Sequence, residues 1–222
     1  MARAPTLASA IAAIDRAGVL LVYPIENRSE PPSLWHRFYP GERMRWDWDE
    51  SGDERVVGMW RLRERLARSR RVVYSKWFRN RATFFSRALF TAMLCELRAT
   101  GRIREGLEPD ALDVLAALES DSPLGAKQLR AASGLTARAF ESAYQRALRE
   151  LFARALIVGF GEIDEGAFPS LAIGATRTLF EDLWDEAGAM DPMEASRTIA
   201  AFLPHGSAFA KHHAKILATV RG

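Results

Sequence analysis

The stretch PDALDVLAALESDSPLGAKQLRAASGLTARAFESAYQRALRELFARALIVGFGEIDEGAFPSLAIG, residues 109–174, decides the fold. Apolar residues recur in it at helical spacing, Pro123 interrupts the first run, and Thr136 has the chemistry of an N-cap. After the last helical run come two β-rich runs around a polar turn. The predicted order is three helices and then two strands, over residues 109–120, 126–132, 136–154, 156–160 and 168–173.

Three helices followed by a hairpin are the order of a winged helix-turn-helix module. One polar face of its long helix is formed by Arg138, Ser142, Gln145 and Arg149. Guanidinium, hydroxyl and amide groups bind phosphates and base edges in the major groove, so we predict DNA contacts at these positions. Neighbouring acids such as Glu141 repel phosphates, and winged helices also bind proteins. DNA contact and protein contact therefore both stay open for this helix.

The composition is that of a soluble globular protein, with 222 residues, 48% hydrophobic and 27% charged. No apolar run reaches the roughly 18–20 residues of a membrane span, and residues 6–17 form an amphipathic helix rather than a signal peptide. The single cysteine, Cys95, is predicted to be reduced and buried. We expect a cytoplasmic protein with no membrane partner, no metal and no cofactor.

Charge is strongly segregated along the chain, although the net charge is only +3. Residues 61–87 contain ten Lys and Arg against one acid, Glu64, whereas residues 155–194 contain nine acids against one base, Arg177. A basic block of this density predicts an anionic partner, and double-stranded DNA fits it best. The alternative is that the acidic segment folds back and neutralises the basic one.

The N-terminal part adds a second basic feature, a predicted β-hairpin over residues 72–86. Lys76, Arg79 and Arg81 are expected near its tip beside Trp77, where cations bind phosphate and an aromatic ring stacks on a base. Because an Arg-rich helix over residues 53–69 precedes this hairpin, the chain is open to interpretation as two winged-helix modules in tandem.

A charged connector near residue 105 predicts the boundary between two modules. The first, residues 1–105, is an α+β module with the basic hairpin. The second, residues 106–222, is a winged-helix module followed by C-terminal helices. The predicted fold class is therefore α+β, mostly helical with short β-hairpins.

Several blocks of sequence resemble a group of small bacterial proteins described as AlkZ-related. They include residues 20–28, 30–35, 44–49, 73–78, 81–86 and 156–162. The resemblance implies winged-helix relatives of the AlkZ and YcaQ DNA glycosylases, with a link to the repair of alkylated or crosslinked DNA. Those enzymes use a motif of glutamine, an apolar residue, then glutamine or aspartate. The motif is missing here, because the only glutamines, Gln128 and Gln145, are followed two positions on by Arg130 and Ala147.

If the protein is a glycosylase, its catalytic carboxylate must lie elsewhere. Hydrolytic base excision needs a group that places a water molecule and an aromatic pocket for the flipped base. The segment Trp46-Asp47-Trp48-Asp49 is the one local stretch with both, so Asp47 and Asp49 are the catalytic candidates. The other interpretation is that its rings pack in the core and its acids lie in a solvated loop. The sequence does not decide whether the protein is an enzyme.

A third function class is a protein-interaction module without DNA contact. In that hypothesis the acidic helix over residues 178–186 and the winged helix bind a protein partner or a second copy of the chain.

Overall fold

A computed structural model describes residues 4–45, 53–164 and 169–222. The first part of the chain forms a small bundle of helices around three short strands. Its elements are α1 (Leu7–Ala17), β1 (Val19–Leu21), α2 (Leu34–Phe38), α3 (Glu54–Arg68), β2 (Val73–Ser75), β3 (Thr83–Phe85) and α4 (Arg87–Ala99). Helices α1, α3 and α4 begin where Thr6, Asp53 and Ser86 accept a hydrogen bond from a backbone amide of the first turn.

The second part of the chain is longer in helix and contains the larger hairpin. Its elements are α5 (Pro109–Ser120), α6 (Ala126–Ala132), α7 (Glu141–Ala153), β4 (Ile157–Asp164), β5 (Pro169–Ala175), α8 (Thr176–Leu179), α9 (Glu181–Ala189), α10 (Pro192–Phe202) and α11 (Ala208–Arg221). The prediction that Thr136 caps the long helix was wrong, because a 3-10 turn, Arg138–Phe140, precedes α7. Helical periodicity does not separate such a turn from the first turn of an α-helix.

The five strands of the described residues form one antiparallel sheet in the order β1-β3-β2-β4-β5. The two hairpins meet at a single register pair, Tyr74 in β2 opposite Gly159 in β4. A Cβ atom on Gly159 would lie 2.1 Å from the Tyr74 ring, so only glycine allows this approach. A one-residue bridge between Leu124 and Ile173 adds a further contact to β5. The α+β class predicted from sequence is confirmed.

The described part of the chain has three clusters of buried apolar side chains. One lies under α1, α2 and α3, and another lies between α5, α6, α7 and the β4–β5 hairpin. The remaining cluster joins the strands β1, β2 and β3 to α4 and the C-terminal helices, and it includes Cys95, which is buried as predicted. The expected boundary near residue 105 falls between α4 and α5, and both the sheet and this last cluster continue across it. The division into two modules stays a prediction.

Candidate nucleic-acid interface

The loop of the β2–β3 hairpin presents two guanidinium groups to solvent. Arg79 and Asn80 adopt left-handed backbone conformations, with φ of 51° and 59°, which turn the loop sharply. Arg79 and Arg81 are exposed, and with Tyr23 and Ala82 they line an open depression of about 400 Å³. No carboxylate of residues 4–45, 53–164 or 169–222 pairs with either guanidinium. The loop is therefore suited to an anionic ligand.

Trp77 does not lie at the tip of this loop. It is only 4% exposed, its ring meets Phe85 edge-on at 5.3 Å between centroids, and it contacts His212 at 4.7 Å. His212 also donates a hydrogen bond from Nε2 to the carbonyl oxygen of Trp77, at 2.9 Å. The predicted stacking of Trp77 on a base does not fit this position, because the ring fills the core beneath the loop. We leave Trp77 out of the interface.

Lys76, at the start of the loop, is half-buried. Burial lowers the pKa of its ammonium group below the usual 10.5, and the positive charge of Arg63 lowers the pKa further. No carboxylate in the described ranges forms an ion pair with Lys76. Lys76 and Arg63 therefore differ, because Arg63 alone of the two has an acidic partner in the described ranges.

Helix α3 carries arginines of two kinds. Arg63 is buried and forms an ion pair with Glu162 of β4, and Arg68 pairs with Glu64. Arg61 and Arg65 point to solvent, and neither has a carboxylate partner within the described segments. Sequence reasoning included these two arginines in the basic block but did not predict them as site residues. The charge pattern of one helix does not reveal which of its arginines form ion pairs with acids on distant strands.

Tyr23 connects this helix with the hairpin loop. Its hydroxyl donates a hydrogen bond to the carbonyl oxygen of Val56 in the first turn of α3, at 3.1 Å, and its side chain lines the depression beside Arg79 and Arg81. Burial raises the pKa of Tyr23 well above its usual 10.0. The start of α3 and the basic loop therefore lie on the same side of the molecule.

The four DNA-contact residues predicted in the second module, residues 106–222, lie on α7 and on the 3-10 turn before it. Arg138, Ser142 and Arg149 are exposed. Gln145 is half-exposed and donates a hydrogen bond to Glu141 Oε1 at 3.1 Å, and the same carboxylate pairs with Arg130 at 2.6 Å. The amide of Gln145 is thus engaged within the protein, and a carboxylate lies beside the surface predicted to contact DNA.

The acidic segment neutralises only part of the basic block. Glu162 pairs with Arg63, and Asp182 of α9 pairs with Arg87. For Arg61, Arg65, Arg79 and Arg81 no such partner occurs among the residues that the structure covers. Neutralisation by the acidic segment therefore accounts for some arginines of the basic block, and an anionic partner stays a prediction for the others.

The catalytic candidates Asp47 and Asp49 lie outside the described residues. The chain on either side of them is well anchored. Asn27 exchanges two hydrogen bonds with the backbone of Met44, at 2.6 and 3.1 Å, and Asp53 caps α3. Hydrogen bonds from Arg55 hold the pKa of Asp53 below its usual 3.8, so this carboxylate is an ionised structural cap.

The described structure defines a broad class of protein. It is an α+β protein with a partly uncompensated basic surface, and no helix in its described ranges is long and apolar enough to cross a membrane. In those ranges no three His, Cys, Asp or Glu side chains are grouped so that they could hold a metal ion.

The family model described as AlkZ related matches residues 4–218, so the chain belongs to the AlkZ-related family. No curated protein and no solved structure matches it.

Proposed function

We propose that the protein binds double-stranded DNA through two winged-helix units in tandem. The order α1-β1-α2-α3-β2-β3 in the first unit parallels α5, Leu124, α6, α7, β4 and β5 in the second. In each unit the first extended segment pairs with the last strand, β1 with β3 and Leu124 with Ile173 of β5. Helices α3 and α7 then correspond to the recognition helices, and the two hairpins correspond to the wings.

The observation that carries DNA binding is the set of exposed arginines without acidic partners. They are Arg61 and Arg65 on α3 and Arg79 and Arg81 on the adjacent loop. A recognition helix and its wing contact neighbouring stretches of backbone, so guanidinium groups on both suit phosphate binding. Arg138, Ser142 and Arg149 extend the interface to the second unit, whereas Gln145 contributes less because Glu141 holds its amide.

Membership of the AlkZ-related family supports a link to the repair of alkylated or crosslinked DNA. The proposal concerns binding, and it does not require the protein to be the enzyme that removes a base.

The test is fluorescence anisotropy with a labelled duplex over a salt series. With roughly four to six phosphate contacts, log K should fall with log salt at a slope of about −0.9 per contact. A slope near −4 to −5 is the expected result. Absence of binding at low salt, or a flat salt dependence, would contradict the proposal.

A second candidate is a protein-interaction module, and exposed apolar side chains favour it. Val57 on α3 is 49% exposed and Phe140 before α7 is 44% exposed, while Glu181, Asp185 and Glu186 give α9 an acidic surface. Light scattering after size exclusion, combined with a pulldown, distinguishes the two functions. A monomer that recovers DNA and no protein partner would argue against this candidate.

A third candidate is base excision, with Asp47 or Asp49 as general base. Its support is that the segment holding them leads directly into the basic helix α3. Base release from alkylated duplex DNA by the wild type, Asp47→Asn and Asp49→Asn is the assay. Loss of release with retained binding in one variant would assign the base, and no release by the wild type over a panel of alkylated and crosslinked substrates would end the enzyme hypothesis.

A further inference from the structure

Trp60 on α3 differs from the buried tryptophans of this chain. It is 41% exposed, whereas Trp35 and Trp77 lie in the core. The exposure is not that of a mobile surface side chain, because the guanidinium of Arg63 lies over the indole with its Cζ 3.9 Å from the ring centroid. The ring therefore has a fixed partner on one face.

Arg63 is itself held from two sides. It forms an ion pair with Glu162 of β4, and its Nη1 lies 3.5 Å from the hydroxyl of Tyr74 in β2. Indole, guanidinium and the phenol of Tyr74 thus form a layered stack that ends in the sheet. Because Arg63 covers the inner face of Trp60, the exposed area belongs to the outer face and the edge.

A ring fixed in this way is preorganised for stacking. Its rotamer is already restricted by the stack, so a planar ligand would pay little further conformational entropy when it binds the outer face. Planar groups on DNA are its bases, and base–aromatic stacking does not depend on which base is present.

The charges around Trp60 suit a ligand that joins a flat ring to an anion. Arg61 follows it in the chain, is exposed, and has no acidic partner among the described residues. A nucleotide presents a planar base and a phosphate at a matching scale, whereas an apolar protein surface would leave the guanidinium of Arg61 without a partner.

We propose that Trp60 stacks on an unpaired base of bound DNA, and that Arg61 binds the adjoining phosphate. The proposal rests on the DNA binding proposed above and adds the kind of DNA preferred, a duplex with a base that is not stacked in the helix. A base inside an intact duplex has both faces covered by its neighbours, so Trp60 should discriminate between the two forms.

The experiment uses two duplexes that differ only in one 2-aminopurine, paired in one and opposite an abasic site in the other. Stacking quenches the emission of this base analogue. At saturating protein, emission from the unpaired probe should be lower with the wild type and Trp60→Phe than with Trp60→Leu. Trp60→Leu should also bind the unpaired form roughly 5- to 150-fold more weakly, the range of one lost base stack, with binding to the intact duplex little changed.

Val57→Ala is the matched control, since it removes an exposed apolar side chain from the same helix and should change neither emission nor affinity. Equal weakening on both duplexes would overturn the proposal, because Trp60 would then be a general contact. Unchanged emission and affinity in Trp60→Leu would also overturn the proposal, whether or not the thermal stability of the variant falls. The role of Trp60 would then be to cover the Arg63–Glu162 pair. If the wild type shows no salt-dependent binding to the intact duplex, the proposed function itself fails, and this outcome is distinct from a failure of the Trp60 proposal.

Discussion

The ion pair between Arg63 of α3 and Glu162 of β4 is buried between the helix and the strand. The stability of the fold therefore depends on Glu162, which compensates the buried positive charge of Arg63. Both side chains are largely buried, at 10% and 14% exposure. Removing one partner of such a pair leaves a buried charge without compensation, which costs about 3 kcal/mol or more. We expect Glu162→Gln to lower the free energy of unfolding by that amount in urea titrations. The control is Glu186→Gln, an exposed position on α9, which should change it little.

Replacing both partners separates the charge from the contact. Arg63→Met with Glu162→Leu should be less destabilised than Glu162→Gln alone, because no unpaired charge stays in the protein. If Glu162→Gln and the control have the same stability, the ion pair does not hold α3 to β4.

His212 gives a pH dependence at the base of the hairpin loop. Burial lowers the pKa of His212 below its usual 6.5, and nearby Arg79 and Lys215 act in the same direction, while the hydrogen bond to the Trp77 carbonyl opposes them. Near pH 6 the unfolded chain therefore binds more protons at this site than the native protein. Stability falls as the pH decreases through 6.5, and it is unaffected by His212 above that value.

The expected result is a shallower loss of stability in His212→Gln than in the wild type when unfolding is compared at about pH 7.5 and about pH 5.5. This window lies above the range of Glu96, whose pKa is held below its usual 4.5 chiefly by the hydrogen bond from His213. His205→Gln, at an exposed position, is the control. Identical pH profiles for His212→Gln and the wild type would contradict the burial of this imidazole.

Single residues were predictable from sequence where their chemistry is local. Thr6 and Asp53 were expected to begin helices, and both do, because a cap bond needs only the next two or three residues. Trp77 was misplaced because its partners, Phe85 and the distant His212, come together only in the folded chain. Local alternation of basic and aromatic residues does not reveal which ring is buried.

At the scale of elements, two glycines test how α3 and the sheet junction are built. Gly159 faces Tyr74 across the β2–β4 pair with no room for a Cβ atom, whereas nothing lies within 4 Å of a Cβ atom on Gly58 in α3. Gly159→Ala should lower the free energy of unfolding by about 1–3 kcal/mol through overpacking. Gly58→Ala should raise it by roughly 0.5–1 kcal/mol, because alanine has the higher helix propensity.

Both variants are compared with the wild type by urea unfolding under the same conditions. Equal stability of Gly159→Ala and the wild type would mean that the two hairpins are not joined at Tyr74.

Elements with strong periodicity were predictable, and their interruptions were not. The sequence predicts helices over residues 109–120 and 126–132, and the structure has them as α5 and α6. The single helix predicted over residues 175–187 is divided into α8 and α9 at Phe180, a buried residue with non-helical backbone angles. A side chain that turns into a distant core leaves no signal in the local pattern.

At the scale of the whole molecule, the sheet is the feature that sequence reasoning missed. The alternation of residues 72–86 and 156–173 predicts two separate hairpins, which is correct for each. Their union into one five-stranded sheet depends on one register pair, and no periodicity encodes it. The segregation of charge is visible in the sequence, but only the fold distinguishes the arginines paired with acids from the exposed ones.

The central claim is that the exposed arginines of α3 and its neighbouring loop bind DNA phosphates. The most direct measurement is the salt dependence of duplex binding for a variant in which Arg61, Arg65, Arg79 and Arg81 are all replaced by Ala. The control is Arg177→Ala with Arg197→Ala, two exposed arginines of the C-terminal helices. The magnitude of the slope of log K against log salt should fall by about 3 to 4 in the quadruple variant, since each lost contact removes about 0.9, and should be unchanged in the control. A wild-type slope in the quadruple variant would contradict the account.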